Sequence, residues 1–153
     1  MARSAVQRSL RLRRSDDEQS PEQRLRRIAV VFAVAVAVHG ADHARRGLDV
    51  ITKQVMWAGT VQFALAAVAV VLVFSRHHWA ALAAIAIGFS SALGFTAAHL
   101  LPHWSSFSDS FAGSRVAPNV TALSWATAVF EIGADTALGW AGVRVLGTNR
   151  EAG

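Results

Sequence analysis

Three pairs of ionisable side chains, each four residues apart, interrupt the apolar stretches of this chain. They are His39 and His43, His99 and His103, and Glu131 and Asp135. Residues at this spacing lie on the same face of an α-helix. Imidazoles and carboxylates bind metals and carry protons, and inside a bilayer they are costly and mark functional sites. The pairs therefore predict a site for metal binding or proton transfer.

Each pair belongs to a longer polar stripe along one side of an apolar segment. The first stripe is His39, Asp42, His43 and Arg46, the second is Thr96, His99 and His103, and the third is Ser124, Thr127, Glu131 and Asp135. Because lipid cannot satisfy polar groups, such stripes must turn toward the interior of a membrane protein. Helical bundles build metal sites from inward carboxylates and histidines. We therefore expect the three stripes to converge.

The predicted metal ligands are imidazoles with one supporting carboxylate. They are His39, His43, His99, His103 and Asp135. The chain has no cysteine, so thiolate ligands are excluded, and the remaining donors suit a divalent transition metal, above all Zn or Fe. Glu131 and Asp42 are the predicted catalytic bases, which would activate a water molecule at an open metal position. Whether the protein is an enzyme stays open at this stage.

The predicted site residues lie at different depths in the bilayer, so we expect the site to have two layers. At a rise of about 1.5 Å per residue, His39 and Glu131 lie level near the middle of a bilayer, whereas His99 lies near its outer boundary. The outer layer is therefore expected to hold His43, Asp42 and His99. Glu131 and His39 are expected beneath it.

The same side chains also have interpretations without a metal. Asp42 can form an ion pair with Arg46 one turn later, and the carboxylate pair of the fourth segment can share a proton. His103 can belong to an outer loop, beside Asp109. A single histidine inside a membrane is more often a hydrogen-bonding group than a ligand, but two pairs favour a site.

Two known arrangements resemble these histidine pairs. The run His39-Gly40-Ala41-Asp42-His43 resembles the H-E-x-x-H helix of zinc metalloproteases, although Gly40 stands where the catalytic glutamate of that family would be. Paired helical histidines also resemble those of membrane b-type cytochromes. That resemblance implies haem b, held between His43 and His99, as the alternative cofactor.

Composition and the apolar segments predict the elements that position these residues. Of 153 residues, 53% are hydrophobic and 16% are charged, which favours a single membrane domain. We predict an all-α integral membrane protein with four transmembrane helices in an antiparallel bundle. The domain is expected to cover residues 20–147, with spans at about 24–46, 55–74, 79–101 and 119–146. Residues 1–19 are predicted to be a disordered basic cytoplasmic tail, and residues 148–153 a short cytoplasmic tail.

Capping residues, proline and glycine predict where the helices begin and end, and small residues predict which helices pack closely. Ser20 is a suitable N-cap for a helix with Pro21 in its first turn, and this helix is expected to end near Gly47. Pro102 is expected to stop the third helix, and Gly147 to close the fourth. Small residues along the third and fourth segments predict close packing of these two helices.

Charge distribution predicts the topology. Eight of the 15 Lys and Arg residues precede Ile28, so both termini are expected in the cytoplasm, with residues 102–118 outside the plasma membrane. The abundance of Ala, Val and Arg suggests that the cell is bacterial. The basic tail then contacts membrane lipids, and no nucleic acid is expected as a partner. The close-packing residues allow a homo-oligomer or a membrane partner subunit.

The leading functional hypothesis is a metal-binding membrane protein, and a metal-dependent enzyme acting on a lipid-like substrate is its most specific form. Three alternatives remain from the sequence: a bis-histidine haem protein for electron transfer, a transporter of protons or metal ions, and a non-enzymatic accessory subunit.

Overall fold

Four α-helices make up the part of the chain that the structure describes. The structure is a computed structural model and describes residues 20–151, so both the predicted basic tail and the last two residues lie outside the described residues. The helices are α1 (Pro21–Arg46), α2 (Lys53–Phe74), α3 (Ala80–Phe95) and α4 (Ala122–Glu151). A 3₁₀ turn (Leu48–Val50) follows α1, and a π-helical turn (Thr96–Leu100) continues α3. No strand occurs in this range, which confirms the all-α prediction.

The two ends of α1 follow the predicted signals. The Ser20 hydroxyl accepts a hydrogen bond from the Gln23 backbone N–H at 3.3 Å, and Pro21 is the first helical residue. Gly47 follows the last residue with φ of +101°, and a Cβ there would lie 2.8 Å from a carboxylate oxygen of Asp49. Glycine adopts this backbone conformation without the strain that other residues would incur, so α1 ends here.

The predicted limits of α4 are wrong at both ends. Asn119 has φ of +57°, which is not helical, and its side chain donates to the Arg46 carbonyl oxygen at 2.8 Å. The helix therefore begins later, at Ala122. Gly147 does not close it, because the helix continues to Glu151. A glycine inside a helix costs only about 1 kcal/mol, so it ends a helix only where other features agree.

The helices form an antiparallel arrangement in which α1 and α3 each pack against both α2 and α4. Near one end, the Arg26 guanidinium donates to the Phe74 carbonyl oxygen at 3.5 Å, which joins the start of α1 to the end of α2. At the other end, Arg45 donates to the Ser124 hydroxyl at 3.1 Å, which joins the end of α1 to the start of α4. The core between them is rich in alanine.

Helices α3 and α4 pack backbone to backbone, as their small residues predict. A Cβ on Gly88 would lie 2.6 Å from the carbonyl oxygen of Asp135 and from the backbone nitrogen of Gly139. A Cβ on Gly142 would lie 2.6 Å from the carbonyl oxygen of Ala81. Only glycine permits contact this close, so the position of α4 beside α3 depends on these residues.

Two helical segments in the described part are long and apolar enough to cross a membrane. They are Lys53–Phe74 and Ala80–Leu100, which is α3 with its π-helical turn. Helices α1 and α4 are not among these candidate spans. The structure thus supports membrane association through two helices, which is less than the predicted four spans.

Candidate metal centre

Three histidine rings from two helices meet in the interior of the protein. His39 and His43 lie on successive turns of α1, and His99 lies on the π-helical turn after α3. Each ring offers one nitrogen to a group in which all nitrogens lie within 4.8 Å of one another. His39 and His99 are 3% and 1% exposed, and His43 is partly buried. These histidines are close enough to hold a metal ion.

A loop backbone fixes the orientation of the His99 ring. Its Nδ1 lies 3.1 Å from the carbonyl oxygen of Asp109, and because a carbonyl only accepts, Nδ1 must carry the proton and donate. The loop is itself held against the π-helical turn, since Phe111 N–H donates to the His99 carbonyl oxygen at 2.8 Å. The Nε2 lone pair of neutral His99 therefore points into the histidine cluster.

The surroundings of His39 favour the same tautomer for its ring. Its Nδ1 faces two acceptors, the Thr127 hydroxyl at 3.5 Å and Oε2 of Glu131 at 3.9 Å. The Thr127 hydroxyl already donates to the Ser124 carbonyl oxygen at 3.0 Å, so it is available to His39 as an acceptor. A proton on Nδ1 leaves the Nε2 lone pair of His39 directed at the cluster.

The two Nε2 atoms face each other at 3.3 Å. Two unprotonated nitrogens at this distance repel unless a cation lies between them, whereas a proton on either one makes the contact a hydrogen bond. Two imidazole nitrogens bound to one tetrahedral zinc ion at about 2.0–2.1 Å are separated by about 3.3–3.4 Å. The separation of the His39 and His99 nitrogens therefore matches that of two ligands sharing one ion, and it also fits one ring donating a hydrogen bond to the other.

His43 completes the group from the next turn of α1. Its ring centroid lies 4.7 Å from that of His39 and 5.6 Å from that of His99. Its Nδ1 is buried, lies 3.8 Å from Oδ2 of Asp109 and forms no hydrogen bond among the described residues. An uncommitted imidazole nitrogen beside two oriented ones is available as a third ligand.

A buried ion pair lies directly behind His99. The Arg46 guanidinium donates two hydrogen bonds to the Asp109 carboxylate, at 2.6 and 2.7 Å, and a third to the Pro118 carbonyl oxygen at 3.1 Å. Burial by itself would raise the pKa of Asp109, but the bidentate contact with Arg46 outweighs it and holds that pKa below its ordinary value. Asp109 therefore stays ionised and anchors the loop that orients His99.

The predicted carboxylates lie in different surroundings. Glu131 is 1% exposed and reaches the cluster through His39, whereas Asp135 lies one turn further along α4, fully buried and beside the α3 backbone. Neither oxygen of Asp135 has a hydrogen-bond partner among the described residues. Asp42 accepts a hydrogen bond from Arg45 at 2.8 Å. The predicted pair of Asp42 with Arg46 is wrong, since Arg46 pairs with Asp109.

His103 does not share a helical face with His99, so that prediction is also wrong. The helix ends at Leu100, and Leu101 is extended before Pro102, whose ring cannot continue a helix. His103 follows in the loop with an exposed side chain. His39 and His99 were expected in different layers of the site. In the structure they belong to one group, with their Nε2 atoms 3.3 Å apart.

Two features of the site go beyond the sequence predictions, the role of Asp109 as loop anchor and the π-helical turn. The sequence contained a signal for the role of Asp109. Arg46 ends a polar stripe that faces inward, and a buried arginine requires a carboxylate partner. Asp109 in the loop at the same end of the bundle was available for it. The π-helical turn has no comparable signal in the sequence.

Two cavities reach the cluster on either side of Phe95. The first, of about 280 Å³, is bounded by α1 and α2 and lined by His39, His43 and Glu131 at its polar end. The second, of about 370 Å³, is bounded by α2 and α3 and lined by His43 and His99. Helix α2 thus covers the histidines without closing access to them.

Comparison of this chain with known protein families, with curated proteins and with solved structures finds no match.

Proposed function

We propose that this protein is a small multi-pass membrane metalloprotein in which His39, His43 and His99 bind one divalent transition-metal ion, Zn or Fe. The observation that carries the proposal is the 3.3 Å separation of the His39 and His99 Nε2 atoms, each on a ring whose other nitrogen faces acceptors. Metal-binding histidines are held in this way in known proteins, with the second ring nitrogen donating to a carbonyl or carboxylate.

The donor set supports a reactive centre better than a structural one. Structural zinc sites have four protein ligands, whereas catalytic sites have three and keep one position open. Here three imidazoles converge beside two cavities, and a metal ion would supply Lewis acidity at the open position. Glu131, with an unpartnered carboxylate oxygen near His39, is the residue best positioned to accept a proton. We therefore propose metal-dependent catalysis as the activity.

Large apolar side chains are exposed on all four helices. Examples are Val34 on α1, Val61 on α2, Leu82 on α3 and Phe130 on α4. Such surfaces suit contact with lipid, so we propose that α1 and α4 also cross the plasma membrane of a bacterium, with both termini in the cytoplasm. The exposed faces also leave room for a second copy or a partner subunit.

Metal analysis of the protein purified in a mild detergent tests the proposal. We expect about one equivalent of Zn or Fe per chain, and its loss in His43→Ala and His99→Ala. His43→Ala is the cleaner variant, because its Nδ1 has no hydrogen bond to lose. His103→Ala, which removes an exposed histidine outside the cluster, is the matched control and should keep the metal. A wild-type protein that binds no transition metal would refute the proposal.

The absorption spectrum of the same sample separates this proposal from haem binding. A protein that binds only Zn or Fe through three histidines has no Soret band. A strong Soret band in freshly purified protein that disappears in His99→Ala would identify a haem protein instead.

Proton or metal-ion transport is a second candidate function, favoured by the buried carboxylates of α4. Glu131 and Asp135 both carry oxygens without a hydrogen-bond partner in the described part, and intramembrane carboxylates of this kind mark ion pathways. In proteoliposomes, Glu131→Gln should then abolish flux of protons or Zn²⁺ while the helical content is unchanged. Equal flux in the variant and the wild type would reject this function.

A further inference from the structure

The cavity between α1 and α2 has its ionisable groups at one end only. His39, His43 and Glu131 line its inner end, and apolar side chains form most of its remaining wall. These apolar residues are Val36, Leu48, Ile51, Val55, Met56 and Phe63. A binding space with this division matches a molecule that has one polar end and one apolar end.

The side chains of Thr60 and Gln62, elsewhere on the cavity wall, already donate hydrogen bonds within the protein. Thr60 donates to a carbonyl oxygen of its own helix at 2.9 Å, and the Gln62 amide donates to the Ser91 hydroxyl. In contrast, Glu131 Oε2 and His43 Nδ1 at the inner end are buried without partners in the described part. Hydrogen-bonding and metal-binding capacity is thus concentrated where the cavity meets the histidine cluster.

The outer end of the cavity opens among apolar side chains. Leu48, Met56 and Phe63 line it and are 56%, 37% and 62% exposed. A polar solute gains nothing from such an opening, because these side chains form no hydrogen bonds. An alkyl chain that enters between α1 and α2 would remain in apolar contact along its whole length.

From this arrangement we propose that the metal centre takes an amphiphile with a single alkyl chain. Its oxygen-bearing head group reaches the metal ion and Glu131, and its chain lies in the cavity between α1 and α2. This inference rests on the proposed metal-binding function and names the class of molecule that the centre receives. We place the chain in this cavity, and not in the one between α2 and α3, because Glu131 lines only the former.

Alkyl hydroxamates are suitable probes, because their head group binds a metal ion through two oxygens whatever the chain length. The protein in detergent is loaded with Co²⁺, and binding is followed by the change in cobalt absorption. Acetohydroxamate reports on the metal ion alone, and octanohydroxamate adds six methylenes. Each methylene that enters an apolar cavity strengthens binding by about fourfold. Detergent micelles take up the longer probe equally for every variant, so the comparison between variants isolates the cavity.

Gly59→Leu is the variant that fills the cavity. Gly59 lines both cavities, and a Cβ there has no heavy atom within 4 Å, so the substitution occupies the cavity without displacing backbone. We expect octanohydroxamate to bind Gly59→Leu at least tenfold more weakly than the wild type, with acetohydroxamate affinity within twofold. Equal octanohydroxamate affinities would overturn the inference.

Two further leucine substitutions at glycines with open space are matched controls. Gly94 lines only the second cavity and Gly133 lines neither, so both Gly94→Leu and Gly133→Leu should bind octanohydroxamate as the wild type does. Weakened binding in Gly94→Leu would put the chain in the second cavity and overturn the inference. Failure of the wild type to bind Co²⁺ at all would instead refute the metal centre, so the two failures are distinguishable.

Discussion

Asp109 connects the histidine cluster to the most deeply buried ion pair of the described chain. Its backbone carbonyl accepts from His99, and its carboxylate accepts two hydrogen bonds from Arg46, which is 1% exposed. The ring of Phe111 packs against the same guanidinium at 5.2 Å. Because one residue makes both contacts, the ion pair sets the position of the carbonyl that orients His99.

Asp109→Ala should lower both stability and metal affinity. It leaves the Arg46 guanidinium buried without its counter-charge, which costs about 3–5 kcal/mol of unfolding free energy. The loop carbonyl that holds His99 also loses its anchor, and loss of such a supporting contact weakens metal binding about 10- to 100-fold. Denaturant unfolding in detergent and Co²⁺ titration measure the two effects. Asp49→Ala, at an exposed position, should change neither.

A double variant distinguishes the two roles of the ion pair. Replacement of both partners, in Arg46→Met with Asp109→Leu, removes the uncompensated charge and should recover most of the stability lost in Asp109→Ala. Metal affinity should remain low if the ion pair positions His99. Full recovery of Co²⁺ affinity in the double variant would contradict that positioning role.

The helices that carry the site were more predictable than the loop that completes it. The inward position of His39 and His43 follows from helical periodicity, because polar residues one turn apart share a face. The pairing of Arg46 with Asp109 joins residues 63 positions apart, which periodicity does not encode. The π-helical turn under His99 has no signal in the residue pattern either. The third helix ends before Pro102, as predicted. His103 follows Pro102, so the loop and not the helix determines its position.

Helices α3 and α4 approach closely beside Asp135 and Gly139, and Gly88 permits that approach. Gly88→Ala should reduce the unfolding free energy by about 1–3 kcal/mol, because its methyl group would lie 2.6 Å from two backbone atoms of α4. Gly94→Ala on the same helix is the control, since its methyl group meets no atom within 4 Å. Alanine also favours a helix over glycine, so the control should be neutral or up to about 1 kcal/mol more stable. Equal loss in both variants would show that helix packing is not the cause.

In the described helices, ionisable side chains lie in the interior and large apolar side chains lie on the outer surface. The interior contains the histidines, the carboxylates and a charged pair, whereas the outward faces carry valine, leucine, phenylalanine and tryptophan. Helix α2 is the extreme case, with 17% of its most apolar window buried. Polar groups inside and apolar groups outside are the distribution that a lipid surrounding stabilises.

A charge on the outer face of α2 tests that distribution directly. Val61 lies near the middle of α2, is 55% exposed and lines neither cavity. In water, Val61→Asp at an exposed site would change stability by no more than about 0.5 kcal/mol. In a bilayer the same carboxylate would cost about 2.5–3.5 kcal/mol at the helix centre. We therefore expect Val61→Asp to lower the fraction of protein that resists alkaline extraction from membranes, and Val61→Leu to leave it unchanged. Val61→Asp protein that stays in the membrane fraction as fully as the wild type would mean that this face of α2 does not contact lipid.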